Sequence, residues 1–351
     1  MAVPKPKAKK VAKQSEREMQ AIEDAVDKAG EEFDEEQETE DLVEDVGIQI
    51  NGDEIQAAVR KMMKLSLFEP PENFWLNTGS PELNSVFGSR KLGIPYGKVI
   101  EVAGPEHCGK TLIANVMMGM AQRDGAAAGY IDLEESRDAN WATKLGVNWE
   151  AVTKIYPELV KQKSGPPMLL SAEQICNQAE QAMYLLHKAG ARKQFWFLDS
   201  IAMLIPATQM EAGLTGINMR TKLARADFLA TLMPRWAGLA ANYNALMLVS
   251  NQLRAKIGSF VMGDPDETTG GRALRHVASI RVRGRRLKGG RLKQGTAIVG
   301  LAGVFRNTKN KSGGGSVEGC EAAFKVRWDR PKASVKFMPV AELKAEMGEE
   351  K

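Results

Sequence analysis

The sequence predicts an α/β fold: a mostly parallel central sheet flanked by helices, preceded by a short N-terminal helix. Three observations carry that expectation. Five apolar strand-like runs, "KVIEVA", "AAGYIDL", "QFWFLDS", "ALMLVSN" and "VASIRVR", occur between residues 98 and 283. Helical stretches such as "LIANVMMGMAQRD" and "SAEQICNQAEQAMYLLHKAG" separate the first four, the alternation that produces parallel sheets. The chemically suggestive residues also fall at the carboxyl ends of these runs, where open α/β sheets bind ligands.

Residues 1–50 read as a disordered arm. Residues 1–15 hold five Lys and no acid, whereas residues 16–45 hold fifteen Asp/Glu against two Lys/Arg. A stretch so charged and so poor in apolar residues repels itself and buries no core. Residues 46–351 carry 41 bases against 29 acids, a net of +12, which suits an anionic polymer as partner. Residues 51–74 form the next unit. In "GDEIQAAVRKMMKL", Ile55, Val59, Met62 and Met63 recur at helical spacing, predicting a short amphipathic helix suited to oligomerisation. Pro70-Pro71 then ends regularity. The core is expected over 75–330, with 331–351 as a short C-terminal tail. Cys108, Cys176 and Cys320 form no CxxC pair, so neither a disulfide framework nor a zinc site is supported. No apolar run approaches the roughly 18–20 residues of a membrane helix, and no apolar stretch follows the basic N-terminus as in a secretory signal. A cytoplasmic protein without a membrane partner is expected.

The first strand leads into Gly104-Pro105-Glu106-His107-Cys108-Gly109-Lys110-Thr111, then Leu112. This is G-x-x-x-x-G-K-[ST], a turn whose glycines let successive N–H groups face an anion at a helix N-terminus. Lys110 is expected to reach the β- and γ-phosphates and Thr111 to ligate Mg²⁺. "QFWFLDS" supplies Asp199, placed to orient that ion through water. "YIDLEESRD" offers Asp132, Glu134, Glu135 and Asp138 for positioning a water. Asp132 and Glu134 lie on the same side of an extended chain, and spacing alone does not choose between them. In "LMLVSNQLR" the pair Asn251-Gln252 follows a buried strand, where an amide can sense the γ-phosphate.

The stretch "LRAKIGSFVMGDPDETTGGRA" has four glycines and no period, and loops this long are usually functional. It combines Arg254, Lys256 and Arg272 with Phe260, Val261 and Met262, and leads into "LRHVASIRVRGRRLKGGRLK", with eight Lys/Arg in twenty residues. Cations beside apolar wedges are what a groove for single-stranded nucleic acid needs. "ATQMEAGLTGINMRTKLAR" (207–225) is positioned to line the same channel.

These residues, in this order, resemble the bacterial RecA family of homologous recombinases from about 76 to 330. "GPEHCGKT", "YIDLEESRDANWATKLGV", "LDSIAMLIP", "SNQLRAKIG" and "TTGGRALRHVASIRVR" carry the resemblance. It implies a RecA-like ATPase core with ATP and Mg²⁺ as cofactors. Glu134 becomes the residue that activates water, and Gln252 the one that couples the γ-phosphate to the DNA-binding loop. Asp138 and Trp141 fall where the family contacts adenine, and Trp328 is assigned to cover adenine across the subunit interface. Lys309 and Lys311, in "RNTKNKSG", become cations acting on the neighbouring subunit's ATP. Residues 207–225 and 253–273 become the two DNA-binding loops. Their implied DNA contacts are Met219, Arg220, Arg225, Arg254, Lys256, Ile257, Gly258, Thr268, Thr269, Gly270, Gly271 and Arg272, with Met219 and Ile257 as base-spacing wedges. Cys108 and His107 stand where small hydroxyl residues are usual, and a buried, inert thiol is expected. Too few residues follow Arg330 for the family's further C-terminal domain, which implies a virus-encoded or otherwise streamlined member.

The implied protein is a DNA-dependent ATPase that forms filaments on single-stranded DNA and exchanges strands with homologous duplex. It assembles with itself and with single-strand-binding or loader proteins. The alternatives are a ring-shaped helicase motor on the same core, and a non-catalytic, filament-modulating DNA-binding protein. The acidic arm can occupy the basic DNA channel. Deleting residues 1–46 is then expected to raise affinity for duplex DNA in a binding titration at fixed salt, whereas unchanged binding would make the arm a docking or solubilising tail.

Overall fold

The computed structural model describes residues 73–135, 138–161, 167–212, 219–255, 266–268, 271–312, 318–329 and 331–347. All belong to one compact unit, residues 68–351. The arm and the helix expected in 51–74 lie outside the described residues, apart from residues 73 and 74.

Ten strands form one sheet. They are β1 (Val99–Gly104), β2 (Ala127–Asp132), β3 (Val152–Ile155), β4 (Gln194–Asp199) and β5 (Ala245–Ala255). β6 (Asp266–Thr268), β7 (Ile280–Gln294), β8 (Ala297–Asn310), β9 (Glu321–Arg327) and β10 (Ser334–Met338) follow. The order across the sheet is β10-β9-β8-β7-β1-β5-β4-β2-β3, with β6 paired to β5 off that path. From β7 to β3 the neighbours are parallel, and from β7 to β10 they are antiparallel. The helices are α1 (Pro81–Phe87), α2 (Lys110–Arg123), α3 (Ala139–Lys144), α4 (Ala172–Lys188), α5 (Ala207–Ala212), α6 (Met219–Asn242), α7 (Gly271–Val277) and α8 (Val340–Glu346).

The parallel strands are apolar along their length because helices cover both faces; every residue of β1 and β4 is buried. One face carries Ile100, Val102, Tyr130 and Phe197 beneath Ile113 and Met117 of α2 and Phe87 of α1. The other carries Val99, Ile131, Trp196 and Met247 beneath Met183 of α4, Trp236 of α6 and Leu274 of α7. The start of α4 is set by a reciprocal cap, with Gln174 N donating to Ser171 Oγ and Ser171 N to Gln174 Oε1, which satisfies two end amides at once.

All five strands expected from the apolar runs are present, and the antiparallel half extends well beyond them. "VASIRVR" contains only the start of a 15-residue strand, β7, which pairs along β8 with register shifts after Arg281, Arg286 and Leu292. The sheet does not stop at residue 330: β10 pairs with β9, and Leu343 of α8 packs on Ala302, Val304 and Ala323. The stretches expected as irregular are partly regular. α5 and the start of α6 occupy 207–212 and 219–225, β5 runs to Ala255, and α7 begins at Gly271.

Gly129 on β2 shows how tightly the layers meet. A Cβ there would lie 2.2 Å from Trp196 Cε3, on a ring that is fully buried. Overpacking of this kind costs about 1–3 kcal/mol. Gly129→Ala is therefore expected to lower the unfolding free energy by that amount, read as a lower urea midpoint at unchanged slope, and an unaltered midpoint would show that the Trp196 ring has room to move.

Candidate active site

β1 delivers Gly104 into the phosphate turn, and α2 begins at Lys110. The turn passes through the left-handed region at His107 (φ 58°) and Gly109 (φ 95°). A Cβ on Gly109 would also approach Phe324 Cζ to 2.8 Å, so both backbone and packing require glycine there. Lys110 Nζ donates to the carbonyls of Gly104 (2.9 Å) and Pro105 (3.0 Å), which folds the amine over the turn. Pro105, Glu106 and His107 are exposed, while Leu112 anchors the helix in the core. The opening amides of α2 and the Lys110 amine together form an anion cradle. Cys108 is fully buried. Its Sγ fills the crevice where a Cβ on Gly104 would come to 2.4 Å and one on Gly284 to 2.9 Å, and burial pushes its thiol pKa up despite the nearby charges of Lys110 and Arg286. It is a packing residue, not a nucleophile.

Asp199 closes β4 beside this cradle. Thr111 Oγ1 donates to its Oδ2 at 2.9 Å, Ser250 Oγ donates to its Oδ1, and the Tyr130 hydroxyl lies 3.5 Å from Oδ2. Burial raises the carboxyl pKa, the hydrogen bonds from Ser250 and Thr111 oppose that shift, and Glu134 and Asp132 add to it. Among the described residues no group of three or more His, Cys, Asp or Glu is arranged to hold a metal. Thr111 and Asp199 instead make the sparse oxygen set that Mg²⁺ uses when phosphates and water complete its shell.

The two acids left open by spacing separate in space. Asp132 is buried, whereas Glu134 is exposed at the strand end. Leu133 N and Glu134 N both donate to Asp199 O, at 2.7 and 3.1 Å, which carries the chain alongside Asp199. Glu134 Oε1 accepts from Ser200 Oγ and from Gln252 Nε2, the latter at 3.2 Å. Gln252 is level with Gly104 in the parallel register, so its amide stands at the mouth of the cradle.

Asp138 caps α3, accepting from Trp141 N at 2.9 Å. Trp141 meets Trp328 edge-on, with centroids 5.6 Å apart at 88°, and with Lys144 they line a cavity of about 280 Å³. Both rings belong to the same chain. Lys309 Nζ donates to the carbonyls of Arg275 (2.7 Å), His276 (3.1 Å) and Ala278 (2.6 Å) at the end of α7. Burial and then the charges of Lys311 and Arg281 lower its pKa. Lys311 is exposed. On β8, two strands from β1, Lys309 is level with Arg281 and Glu101, and Lys311 N donates to Ser279 O beside the start of β1, so both lie toward the amino-terminal end of that strand and away from Gly104. Of the residues expected at the loops, Thr268 is buried, Arg225 half-buried and Arg272 exposed. Met219, Arg220, Arg254 and Gly271 are described in backbone only, and Lys256, Ile257, Gly258, Thr269 and Gly270 lie outside the described residues. Sequence reasoning missed Ser200, Ser250, Tyr130 and Lys144. Ser200 and Ser250 each adjoin a residue it did select, and that adjacency was the available signal.

Residues 54–318 match the family model described as RecA N-terminal domain. The chain is 34% identical over 238 residues to the proteins named Protein RecA of two Clostridium botulinum strains, Eklund 17B and Alaska E43. The alignment covers 67% of this chain and 59% of each relative.

Asp199 makes stability depend on pH in a defined direction. Burial holds its folded pKa above the ordinary carboxyl value, so its contribution is full below that ordinary value and is lost as pH rises through the folded pKa. Asp199→Asn keeps an acceptor for Thr111 or Ser250 and removes the buried charge. The variant is expected to melt at a higher temperature at neutral pH and to lose this part of the pH dependence. A lower melting point at pH 7 would mean that the hydrogen bonds outweigh the burial cost.

Proposed function

The chain belongs to the RecA family, and on that premise we propose that it is a DNA-dependent ATPase that polymerises on single-stranded DNA and catalyses homologous pairing and strand exchange. The observation that carries this reading is the hydrogen bond from Gln252 Nε2 to Glu134 Oε1. It joins the carboxylate best placed to act on water to the residue from which the segment 253–273 departs.

In this reading the turn amides and Lys110 bind the β- and γ-phosphates. Thr111 and Asp199 would hold Mg²⁺, which would neutralise charge on those phosphates. Glu134 orients a water in line with the γ-phosphorus and takes its proton at a carboxylate oxygen as the bond to the β-phosphate oxygen breaks. The base lies against Trp141 and Trp328, with Lys144 beside them. Placement of Lys309 and Lys311 away from the phosphate turn, toward the amino-terminal end of β1, supports head-to-tail assembly, in which they approach the phosphates bound by the next copy. Lys309 would have to leave the carbonyls of α7 to do so. For the DNA, the body offers its net positive charge and the exposed Arg286, Lys288, Arg291 and Lys293 of β7, cations suited to phosphates.

Glu134→Gln is expected to bind nucleotide and DNA, to lower ATP turnover by about 10²-fold or more, and to leave long-lived filaments visible by electron microscopy. Closed rings or isolated monomers on single-stranded DNA with a non-hydrolysable ATP analogue would overturn the reading, as would rapid disassembly of the variant in ATP.

A further inference from the structure

Glu101 is a carboxylate in the middle of β1, only 1% exposed, within an otherwise apolar strand. A charge in that setting persists only when paired and hydrogen-bonded. Both of its oxygens are engaged: Oε1 accepts from Asn251 Nδ2 at 2.8 Å, and Oε2 accepts from Arg281 Nε. The Arg281 side chain is itself only 12% exposed. Its Nη2 reaches Thr268 Oγ1 at 3.4 Å, and its register partner on β8 is Lys309. On the other side Asn251 Oδ1 accepts from Gln252 N at 2.9 Å, and Gln252 holds Glu134.

These contacts form one continuous path: Thr268, Arg281, Glu101, Asn251, Gln252, Glu134. Two of its members, Gln252 and Thr268, bracket the segment 253–267 in the sequence. The side chain of Thr268 is buried and turned toward Arg281, so it acts through the interior. An apolar pair at 101 and 281 would pack between β1 and β7 without the desolvation cost of two charges. What it could not do is hold Asn251 and Thr268 in fixed positions at the same time.

We propose that Glu101 and Arg281 are positioning residues that couple the phosphate site to the DNA-binding segment, fixing both ends of that segment relative to the Gln252–Glu134 contact. The proposal rests on the functional reading above. Displacing the Gln252 amide shifts Asn251, and through the ion pair shifts Thr268, so entry and exit of the segment respond together. Such coupling is a free energy shared between two sites and is reciprocal.

The test is the affinity for a single-stranded oligonucleotide with and without a non-hydrolysable ATP analogue, measured for the full chain, Glu101→Gln and Thr268→Val. The full chain is expected to bind at least about tenfold more tightly with the analogue. Glu101→Gln should cut that ratio about fivefold or more, and Thr268→Val, which removes only the distal hydroxyl at constant shape, should cut it partly. A purely structural role would weaken binding equally in both states and leave the ratio intact, and that result in both variants overturns the proposal. Should Glu101→Gln fail to fold, Thr268→Val decides alone. A ratio near one in the unmodified chain would instead overturn the functional reading itself, with the coupling falling alongside it.

Discussion

The register of the parallel strands is the constraint from which the site follows. Gly104 on β1 is level with Gln252 on β5, and Asp132 on β2 is level with Asp199 on β4. Those pairings bring the turn at Gly104, the buried Asp199 carboxylate, the exposed Glu134 and the Gln252 amide to one end of the parallel strands. Because side chains alternate along a strand, a slip of one residue in β5 would turn Asn251 and its neighbours to the opposite face. The packing forbids that slip. Trp196 lies over Gly129, and Met247 and Trp196 share the layer beneath Trp236.

The same interior is costly for the groups that act. Asp199 and Glu101 are both nearly inaccessible carboxylates, and they are stabilised differently. Glu101 is neutralised permanently by Arg281. Asp199 has hydroxyl donors and nearby acids but no cation among its hydrogen-bonding partners. A group left uncompensated by the protein is one that a bound cation can compensate, so folding and metal affinity draw on the same burial. Glu134, by contrast, is exposed and carries no such desolvation cost.

Strands and motifs that announce themselves by continuous apolar runs were legible in the sequence: "QFWFLDS" and "ALMLVSN" could hardly be anything else. The antiparallel half was not, for physical reasons. β7 beyond Val282 reads RGRRLKGGRLKQ, basic residues and glycines with only Leu287 and Leu292 apolar, so it carries no apolar run, and its pairing depends on β8 rather than on its own propensity. Likewise β3 has four residues and β10 five, too short to show a period. At the site, Lys110, Thr111 and Asp199 were recognisable from motif chemistry alone. Assigning water activation to Glu134 rather than Asp132 needed the family resemblance, because spacing could not tell which one emerged from the sheet. Glu101 was visible as an oddity, a charge inside "VIEVA", but its partner lies 180 residues away.

The antiparallel half also accounts for the cysteine in the phosphate turn. β7 to β10 do not merely widen the sheet; they form the floor on which the turn rests. Phe324 lies beneath Gly109 and stacks on Phe305, with centroids 5.0 Å apart, and Gly284 backs against Cys108. The space left for residue 108 is therefore small and closed in by glycine backbone and aromatic edge. A hydroxyl placed there would need a partner in a region with little room for one, whereas a thiol is a small apolar group with only a weak donor. The same half supplies Trp328 to face Trp141. The turn's conformation and the cavity between Trp141 and Trp328 thus both depend on a half of the sheet that contains none of the G-x-x-x-x-G-K-T motif.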